Sequence, residues 1–209
     1  MNKKCYLPYN KILITEIFQS IQGEGRFNGL PVLFIRTSLC NRHCIFCDTS
    51  YSWKKGQMKT VEDLIKKIKK DNMDYVVWTG GEPLLWKTQI YRVIQQTKEK
   101  RHLLETNGDF LTKSDLKKFD FIDISPKNKE TAERVSRFKE HNYEIKIVTD
   151  LDKIGVDMLE YATIVMPLTT YDKKKDKKIK RRVWDYCVKN NKRLTLRLHT
   201  EVWGKKKGK

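Results

Sequence analysis

The sequence predicts an α/β fold, a partial barrel of roughly six βα repeats in one compact domain. Strand-like and helix-like stretches alternate along the 209 residues, which is typical of right-handed βαβ units around a parallel sheet. Almost every predicted strand ends in a polar or glycine-containing cluster, as expected where the carboxyl ends of parallel strands carry the site. The chain is too short for the eight repeats of a complete barrel.

β-Branched and apolar runs bounded by turn residues indicate the strands. They are predicted at Ile12–Phe18, Val32–Thr37, Tyr75–Thr79, His102–Thr106, Phe121–Ser125, Tyr143–Thr149, Thr163–Met166 and Arg193–Leu198. Helical spacing of apolar residues, as at Leu64, Ile65 and Ile68, indicates the intervening helices. They are predicted at Val61–Lys70, Lys87–Lys100, Ser114–Phe119, Lys129–His141 and Ile179–Asn190. We expect a single domain over residues 1–209, ending in a basic tail at 204–209, and a lysine-rich loop without catalytic role at Thr169–Arg182.

The composition fits a folded, water-soluble protein. Apolar residues make up 39% and charged residues 33% of the chain, which excludes an intrinsically disordered protein. No apolar run approaches the roughly 20 residues that span a bilayer, and the N-terminus has no small-residue cleavage site after an apolar core. We therefore expect a cytoplasmic protein without a membrane partner.

The net charge of +18 would attract polyanions, which keeps nucleic-acid binding open. Lysine dominates this charge and is spread along helix faces such as Leu64–Lys70 and Lys173–Arg182, so an ordinary solvated surface is the favoured interpretation. The same field would favour small anionic substrates and an acidic electron donor such as a flavodoxin.

Three of the five cysteines, Cys40, Cys44 and Cys47, form a Cx3Cx2C array on a loop after a predicted strand. An odd total with three crowded together does not fit a disulfide framework, and a reducing compartment fits better. Three thiolates on a [4Fe–4S] cluster leave one iron open to a cofactor. Zinc is the alternative, with His43 as a potential ligand, although the x3 spacing is unusual for a zinc knuckle. We predict that Cys5 is an exposed terminal thiol and Cys187 a core residue.

Further polar motifs follow successive predicted strands. Thr79-Gly80-Gly81-Glu82-Pro83 ends one strand, and its paired glycines would let the backbone approach a ligand closely. Glu105-Thr106-Asn107-Gly108 and Ser125-Pro126-Lys127 end the next two. Each alone is typical of a cap or turn, but together they mark one edge of the sheet as a candidate site.

The cysteine loop, with the aromatic Phe46 before its third cysteine, resembles that of the radical S-adenosylmethionine superfamily. The resemblance implies that the methionine amino and carboxylate groups chelate the fourth iron, and that electron transfer then yields a 5′-deoxyadenosyl radical. It also implies a set of residues that contact S-adenosylmethionine. These are Gly80, Gly81, Glu82, Glu105, Asn107, Ser125, Pro126 and Lys127.

Motifs outside the cysteine loop are similar to those of the 7-carboxy-7-deazaguanine synthases. They comprise E-x-F-x-S-x-Q-G-E-G from Glu16 to Gly25, Phe34–Thr37, Cys47-Asp48-Thr49 and Leu196–Trp203. The resemblance, from Glu16 to about Trp203, implies conversion of 6-carboxy-5,6,7,8-tetrahydropterin to 7-carboxy-7-deazaguanine with loss of ammonia. It further implies a regenerated radical, a supporting Mg²⁺ ion and a homodimer, and it does not require nucleic acid.

The same resemblance implies a substrate site and a magnesium ligand. The substrate residues would be Ile21, Gln22, Gly23, Glu24, Arg36, Thr79 and His199. The planar fork of Arg36 suits a carboxylate, and the Thr49 hydroxyl would ligate Mg²⁺, which prefers oxygen ligands. Two alternatives stay open, an activating enzyme that acts on a protein partner and a metal-containing nucleic-acid-binding module.

Overall fold

The computed structural model describes residues 9–208. Its nine strands are β1 (Lys11–Ile21), β2 (Pro31–Thr37), β3 (Gln57–Thr60), β4 (Tyr75–Gly80), β5 (Arg101–Thr106), β6 (Phe121–Ile124), β7 (Tyr143–Thr149), β8 (Ile164–Pro167) and β9 (Arg193–Leu194). They form one sheet in the order β3-β1-β2-β4-β5-β6-β7-β8-β9. From β2 to β9 along that order all neighbours are parallel, whereas β1 pairs antiparallel with both β2 and β3.

Helices connect most of the parallel strands. They are α1 (Val61–Lys70), α2 (Lys87–Gln96), α3 (Lys113–Leu116), α4 (Lys129–Ser136), α5 (Lys173–Lys189) and α6 (Leu198–Trp203). A 3-10 turn at Val156–Tyr161 replaces a helix between β7 and β8. The arrangement is an open, partial βα barrel, as the sequence predicts. No helix within residues 9–208 is long and apolar enough to cross a membrane.

The two faces of the sheet bury different side chains because successive residues of a strand point to opposite sides. The outer face packs under the helices with large apolar residues such as Ile35, Trp78 and Leu104. The inner face carries a smaller apolar cluster around Phe34 and Phe121. Towards the strands' carboxyl ends the inner positions become polar, namely Arg36, Thr79, Glu105, Asp123 and Lys146.

Several predicted element bounds require correction. Helix α2 ends at Gln96, not Lys100, because the backbone leaves helical geometry at Thr97, which has a φ of −133°. Helix α4 likewise ends at Ser136, not His141. The helix predicted at Ser114–Phe119 is a single turn, α3, which begins at Lys113. Strand β3 was not predicted.

The C-terminal third differs most from the prediction. Helix α5 begins at Lys173, within the segment expected to be a loop, because the Asp172 carboxylate accepts hydrogen bonds from the backbone of Lys174 and Lys175. The strand predicted at Arg193–Leu198 is wrong beyond Leu194, where pairing with β8 ends. The chain turns inward instead, and Leu198 begins α6.

Candidate active site

A cavity of about 650 Å³ opens at the carboxyl ends of the parallel strands. Residues of β2, β4, β5, β6 and β7 form its wall together with the cysteine loop, the segment that follows β1, and the C-terminal tail. This edge is where parallel α/β folds place ligands. The predicted strand-end motifs therefore meet at one site.

The three predicted cluster ligands, Cys40, Cys44 and Cys47, are half-buried free thiols that line this cavity. Burial raises the pKa of the Cys40 and Cys44 thiols, so metal binding would have to displace their protons. Cys187 lies on the buried face of α5, as predicted for a core residue. Cys5 lies outside the described residues.

The three cysteine sulfurs are not arranged as the ligands of a single zinc ion. Within residues 9–208, the only three His, Cys, Asp or Glu side chains whose ligand atoms all lie within 4.8 Å of one another are Glu24, Asp48 and His199. The cysteine sulfurs are therefore spread more widely. Zn–S bonds of about 2.3 Å would place tetrahedral sulfur ligands roughly 4 Å apart. Sulfurs bound to different irons of a cluster can lie further apart.

The glycine pair at the end of β4 supports the cysteine loop and also lines the cavity. A Cβ atom on Gly81 would lie 1.9 Å from the Leu39 carbonyl oxygen, and one on Gly80 would lie 2.2 Å from that of Thr37. The backbones of Gly81 and Glu82 donate to those same two carbonyls. Gly80 and Gly81 thus let the start of the cysteine loop pack directly on the end of β4, a close contact between two backbones that the sequence does not reveal.

Glu82 is completely buried and does not belong to the cavity wall. Its carboxylate accepts hydrogen bonds from the Leu84 backbone, the Thr106 hydroxyl and the Asn107 backbone, at 2.7–2.9 Å. Burial outweighs these donors and raises the pKa of Glu82 to about 7. The side chain therefore joins the ends of β4 and β5 beneath the site.

Glu105, which the sequence assigned to the cofactor, lies among the predicted substrate residues. Its two oxygens accept hydrogen bonds from Gln22 Nε2 at 2.8 Å and Thr79 Oγ1 at 2.7 Å. The Gln22 Oε1 atom in turn accepts from the Glu24 backbone. These contacts fix the turn after β1 against β4 and β5.

Arg36 is oriented by the carboxylate of Glu16, which the sequence analysis named as part of a motif but to which it assigned no role. Its Nε donates to Glu16 Oε1 at 2.7 Å, and the Tyr51 hydroxyl donates to the same oxygen at 2.8 Å. Arg36 also lies over the Phe18 ring, 5.9 Å from its centroid. Glu16 and Phe18 are two residues apart in one strand, so the sequence itself indicates that their side chains lie on the same face.

A buried ion network holds the turn that contains Glu24. Lys146 Nζ lies 2.5 Å from Glu24 and 2.8 Å from Asp123, and Arg197 Nε lies 3.1 Å from Glu24. Burial opposes ionisation of Glu24, but Lys146 and Arg197 outweigh it and lower its pKa. Burial raises the pKa of Asp123 to about 7. Sequence reasoning missed Lys146, Asp123 and Arg197, although Lys146 interrupts the apolar run of β7 at an inward position.

His199 reaches the cavity from the first turn of α6. The Leu198 backbone donates to the Gly23 carbonyl at 2.9 Å, and a Cβ atom on Gly23 would lie 2.6 Å from His199 Nδ1. The absence of a side chain at Gly23 thus allows α6 to close over the turn. Ile21 and Thr79 line the same part of the structure, so all predicted substrate residues come together.

The other predicted cofactor residues divide into those in the cavity wall and those behind it. Asn107, Ser125 and Lys127 line the cavity, whereas Pro126 is buried. Lys127 Nζ donates to Ser125 Oγ at 2.7 Å and lies 5.9 Å from the centroid of the Phe46 ring. Burial lowers the pKa of Lys127.

Two sites could hold a metal ion: the first offers a single hydroxyl, and the second a group of three side chains. Thr49 lines the cavity, with its hydroxyl 3.6 Å from the Cys47 sulfur. Glu24, Asp48 and His199 form the second group, but Arg197 already pairs with both of its carboxylates, at 3.1 and 3.4 Å. Thr49 is therefore the better candidate for a metal ligand, because both carboxylates of the second group already pair with Arg197.

The basic tail reaches the cavity, an outcome that the sequence left open. Residues 204–208 line it, with Lys207 Nζ 4.2 Å from the centroid of the Tyr51 ring and Lys205 Nζ 4.6 Å from that of Tyr171. Both distances are within the range of cation–π attraction. Lys209 lies outside the described residues.

Comparison with known proteins agrees with the site. Residues 34–126 match the model of the radical SAM superfamily. The chain is 30% identical over 223 residues to a 7-carboxy-7-deazaguanine synthase of Pyrobaculum aerophilum, covering 95% of this chain and 98% of that one. A synthase of the same name from Thermoplasma acidophilum is 45% identical over 98 residues, 46% of this chain and 47% of that one.

Among solved structures, QueE from Escherichia coli has a similar fold. The TM-score is 0.67 at 21% sequence identity, covering 90% of this chain and 95% of that chain. A structure of anSMEcpe with bound AdoMet gives a TM-score of 0.53 at 19% identity, covering 81% of this chain and 65% of that chain. At these identities the similarity concerns the fold, and it agrees with the partial barrel.

Proposed function

The chain belongs to the 7-carboxy-7-deazaguanine synthase family, and from this premise we propose that it converts 6-carboxy-5,6,7,8-tetrahydropterin to 7-carboxy-7-deazaguanine with loss of ammonia. One observation carries the proposal. A single cavity brings the three half-buried cysteines together with Gln22, Glu24, Arg36 and His199. A small polar heterocycle could bind there within reach of a radical generated at the cysteine loop.

Cys40, Cys44 and Cys47 would hold the [4Fe–4S] cluster. Together with S-adenosylmethionine, a cluster bound there would supply the 5′-deoxyadenosyl radical chemistry that the reaction needs. The positions of Ser125 and Lys127 support cofactor contacts through a hydroxyl and an ammonium group. The backbone of Gly80 and Gly81, which also line the cavity, would contribute further contacts. Glu82 would act behind them by fixing the end of β5.

Glu105 and Arg36 would orient the two ends of the substrate. A carboxylate accepts hydrogen bonds only, so Glu105 suits the N–H donors on the aminopyrimidine edge of a pterin. Arg36, held in one orientation by Glu16, suits the substrate carboxylate. This assignment moves Glu105 from the cofactor to the substrate, in keeping with its bonds to Gln22 and Thr79.

Thr49 would ligate Mg²⁺ through its hydroxyl, together with substrate oxygens and water. Mg²⁺ keeps several of its waters in protein sites, so one protein ligand is enough. The proposed partners beyond the substrate are an acidic electron donor such as a flavodoxin, attracted by the net charge of +18, and a second copy of the chain in a homodimer. A cytoplasmic setting would keep the thiols reduced, and no step requires nucleic acid.

The test is an anaerobic reaction of the reconstituted protein with reductant, S-adenosylmethionine, Mg²⁺ and 6-carboxytetrahydropterin, followed by mass spectrometry. We expect 7-carboxy-7-deazaguanine, and a Cys44→Ala variant as control should form none. Deoxyadenosine without the deazaguanine would refute the assigned substrate but keep the radical chemistry. A colourless, zinc-loaded protein would refute both.

A further inference from the structure

We propose that Asp109 is a positioning residue for the cysteine loop, which it holds through Arg42 and Asn41 so that Cys40 keeps a single orientation. No motif of the sequence assigns a role to Asp109, which follows the Glu105–Gly108 motif at the end of β5. The inference rests on the proposed function, since it concerns the cluster that the loop would hold.

Asp109 accepts four hydrogen bonds from other side chains. Arg42 donates through Nε to Oδ2 at 2.6 Å and through Nη2 to Oδ1 at 3.0 Å, a two-pronged pairing with geometric specificity. Asn41 donates to Oδ2 at 2.6 Å, and Thr131 of α4 donates to Oδ1 at 3.0 Å. Burial raises the pKa of Asp109, but these donors outweigh it and the pKa is lowered. The carboxylate is thus an acceptor shared by the loop and α4.

The position of Asp109 is itself fixed by the ends of β4 and β5. Its backbone donates to Asn107 Oδ1 at 2.9 Å, and Asn107 Nδ2 donates back to Asn41 Oδ1 at 2.8 Å. The Asn107 backbone is held by the buried Glu82. Contacts therefore run without interruption from the core of the sheet to the cysteine loop.

The loop needs such support because its own backbone is unusual. Leu39, directly before Cys40, has a φ of 73°, which is unfavourable for a leucine. The Arg42 backbone donates to Cys40 Sγ at 3.4 Å, and hydrogen bonds to ligand sulfurs tune iron–sulfur clusters. Because the Arg42 side chain is anchored on Asp109, the carboxylate holds the amide of the same residue at the sulfur.

The test compares Asp109→Ala and Arg42→Ala with the reconstituted wild-type protein, using two measurements that need no turnover. The first is the electron paramagnetic resonance spectrum of the reduced cluster, and the second is the rate at which a chelator removes iron. We expect each variant to give a broadened or multiple signal, because the loop would then adopt more than one conformation. We also expect each to lose its cluster about tenfold faster or more, which corresponds to a loss of about 1.4 kcal/mol or more in the stability of the loop. The double variant should be no worse than Asp109→Ala, because Asp109→Ala already breaks the Arg42–Asp109 contact that Arg42→Ala removes.

Asp120→Ala is the matched control. Asp120 also pairs with an arginine, Arg101, and accepts from the His102 backbone, but at the opposite end of β5. We expect it to keep the wild-type spectrum and rate. A single wild-type signal in Asp109→Ala, or cluster loss as fast in Asp120→Ala as in Asp109→Ala, would overturn the proposal. If Asp109→Ala does not fold, Arg42→Ala decides alone, because the Arg42 side chain is 34% exposed. Failure of the pterin assay would leave both measurements valid.

Discussion

At the scale of single residues, the most informative group is the buried carboxylate of Glu82. It has three donors and yet a pKa raised to about 7, because no solvent reaches it. A native carboxyl group that keeps its proton above its ordinary pKa of 4.5 binds more protons than the unfolded chain does. The contribution of Glu82 to stability therefore falls as the pH rises from 4.5 to about 7.

The variant Glu82→Gln removes this titration. We expect the free energy of unfolding of Glu82→Gln, relative to the wild type, to rise by about 2 to 3 kcal/mol between about pH 5 and about pH 8. Urea unfolding of both proteins at the two pH values measures it. An equal difference at both values would mean that Glu82 titrates at its ordinary pKa in the folded protein.

The residues predicted from the sequence were those in contiguous motifs. Cys40, Cys44, Cys47, Arg36 and His199 were found because their neighbours in the sequence mark them. Lys146, Asp123, Arg197 and Asp109 were not found, since each acts through contacts with residues far away in the chain. Their only sequence signal is a charged residue within a strand or a few residues after one, which does not identify a partner. Cofactor and substrate contacts of individual residues stay predictions.

At the scale of elements, the turn after β1 and helix α6 form the closure of the site. They meet at Gly23, where any side chain would clash with His199. The sequence predicted the central strands and α1 well, because the spacing of their apolar residues is typical of a strand or of a helix. It missed α6 because the alternation of apolar and polar residues at Arg193–Leu198 is also typical of a strand. The hydrogen bond from the Leu198 backbone to the distant Gly23 carbonyl leaves no local sequence pattern.

The variant Gly23→Ala tests this closure. Its Cβ would lie 2.6 Å from His199 Nδ1 and 3.0 Å from the His199 backbone nitrogen, so the start of α6 must shift. We expect the KM for the pterin to rise about tenfold or more, since small displacements of substrate-positioning groups are costly, while S-adenosylmethionine binding is unchanged. Steady-state kinetics and cofactor titration measure the two effects.

Gly29→Ala, in the same turn, is the control for Gly23→Ala. A Cβ atom there meets nothing within 4 Å, although its φ of 95° makes the change strained. Gly29→Ala should lower stability but keep the wild-type KM. If both variants change KM equally, backbone strain in the turn and not the contact with His199 is responsible.

At the scale of the whole molecule, one ion network joins distant parts of the chain. Lys146 of β7 connects Glu24 near the N-terminus with Asp123 of β6, and Arg197 near the C-terminus completes it. The sequence predicted the partial barrel from the alternation of strands and helices. It did not predict this cross-connection, because pairing between positions more than a hundred residues apart leaves no local pattern. The single-domain organisation of residues 1–209 stays a prediction.

Lys146→Met should therefore destabilise the whole protein. It would leave Glu24 and Asp123 buried without their shared cation, for which the expected loss is about 3 to 5 kcal/mol. Chemical unfolding measures the loss. Arg137→Met, which removes the partner of Glu133 in an exposed ion pair, is the control and should cost far less. A comparable loss in both variants would mean that the buried network contributes no more to the free energy of unfolding than an exposed ion pair does.

The net charge of +18 predicts how the protein receives electrons. Reduction of the cluster by an acidic flavodoxin should slow severalfold as salt rises from about 50 to about 300 mM, because screening shortens the reach of the field. Stopped-flow absorbance follows the rate, with a small viologen as the comparison donor. A flavodoxin rate that does not depend on salt would remove the electrostatic argument for an acidic partner.

The measurement that tests the central claim most directly is the ratio of 7-carboxy-7-deazaguanine formed to S-adenosylmethionine consumed. It is made anaerobically with the reconstituted protein, Mg²⁺ and 6-carboxytetrahydropterin. If the cysteines generate a radical that is returned after each ring contraction, many product molecules should form for each cofactor molecule lost. One cofactor molecule lost for each product molecule, or cofactor cleavage without any deazaguanine, would contradict the account.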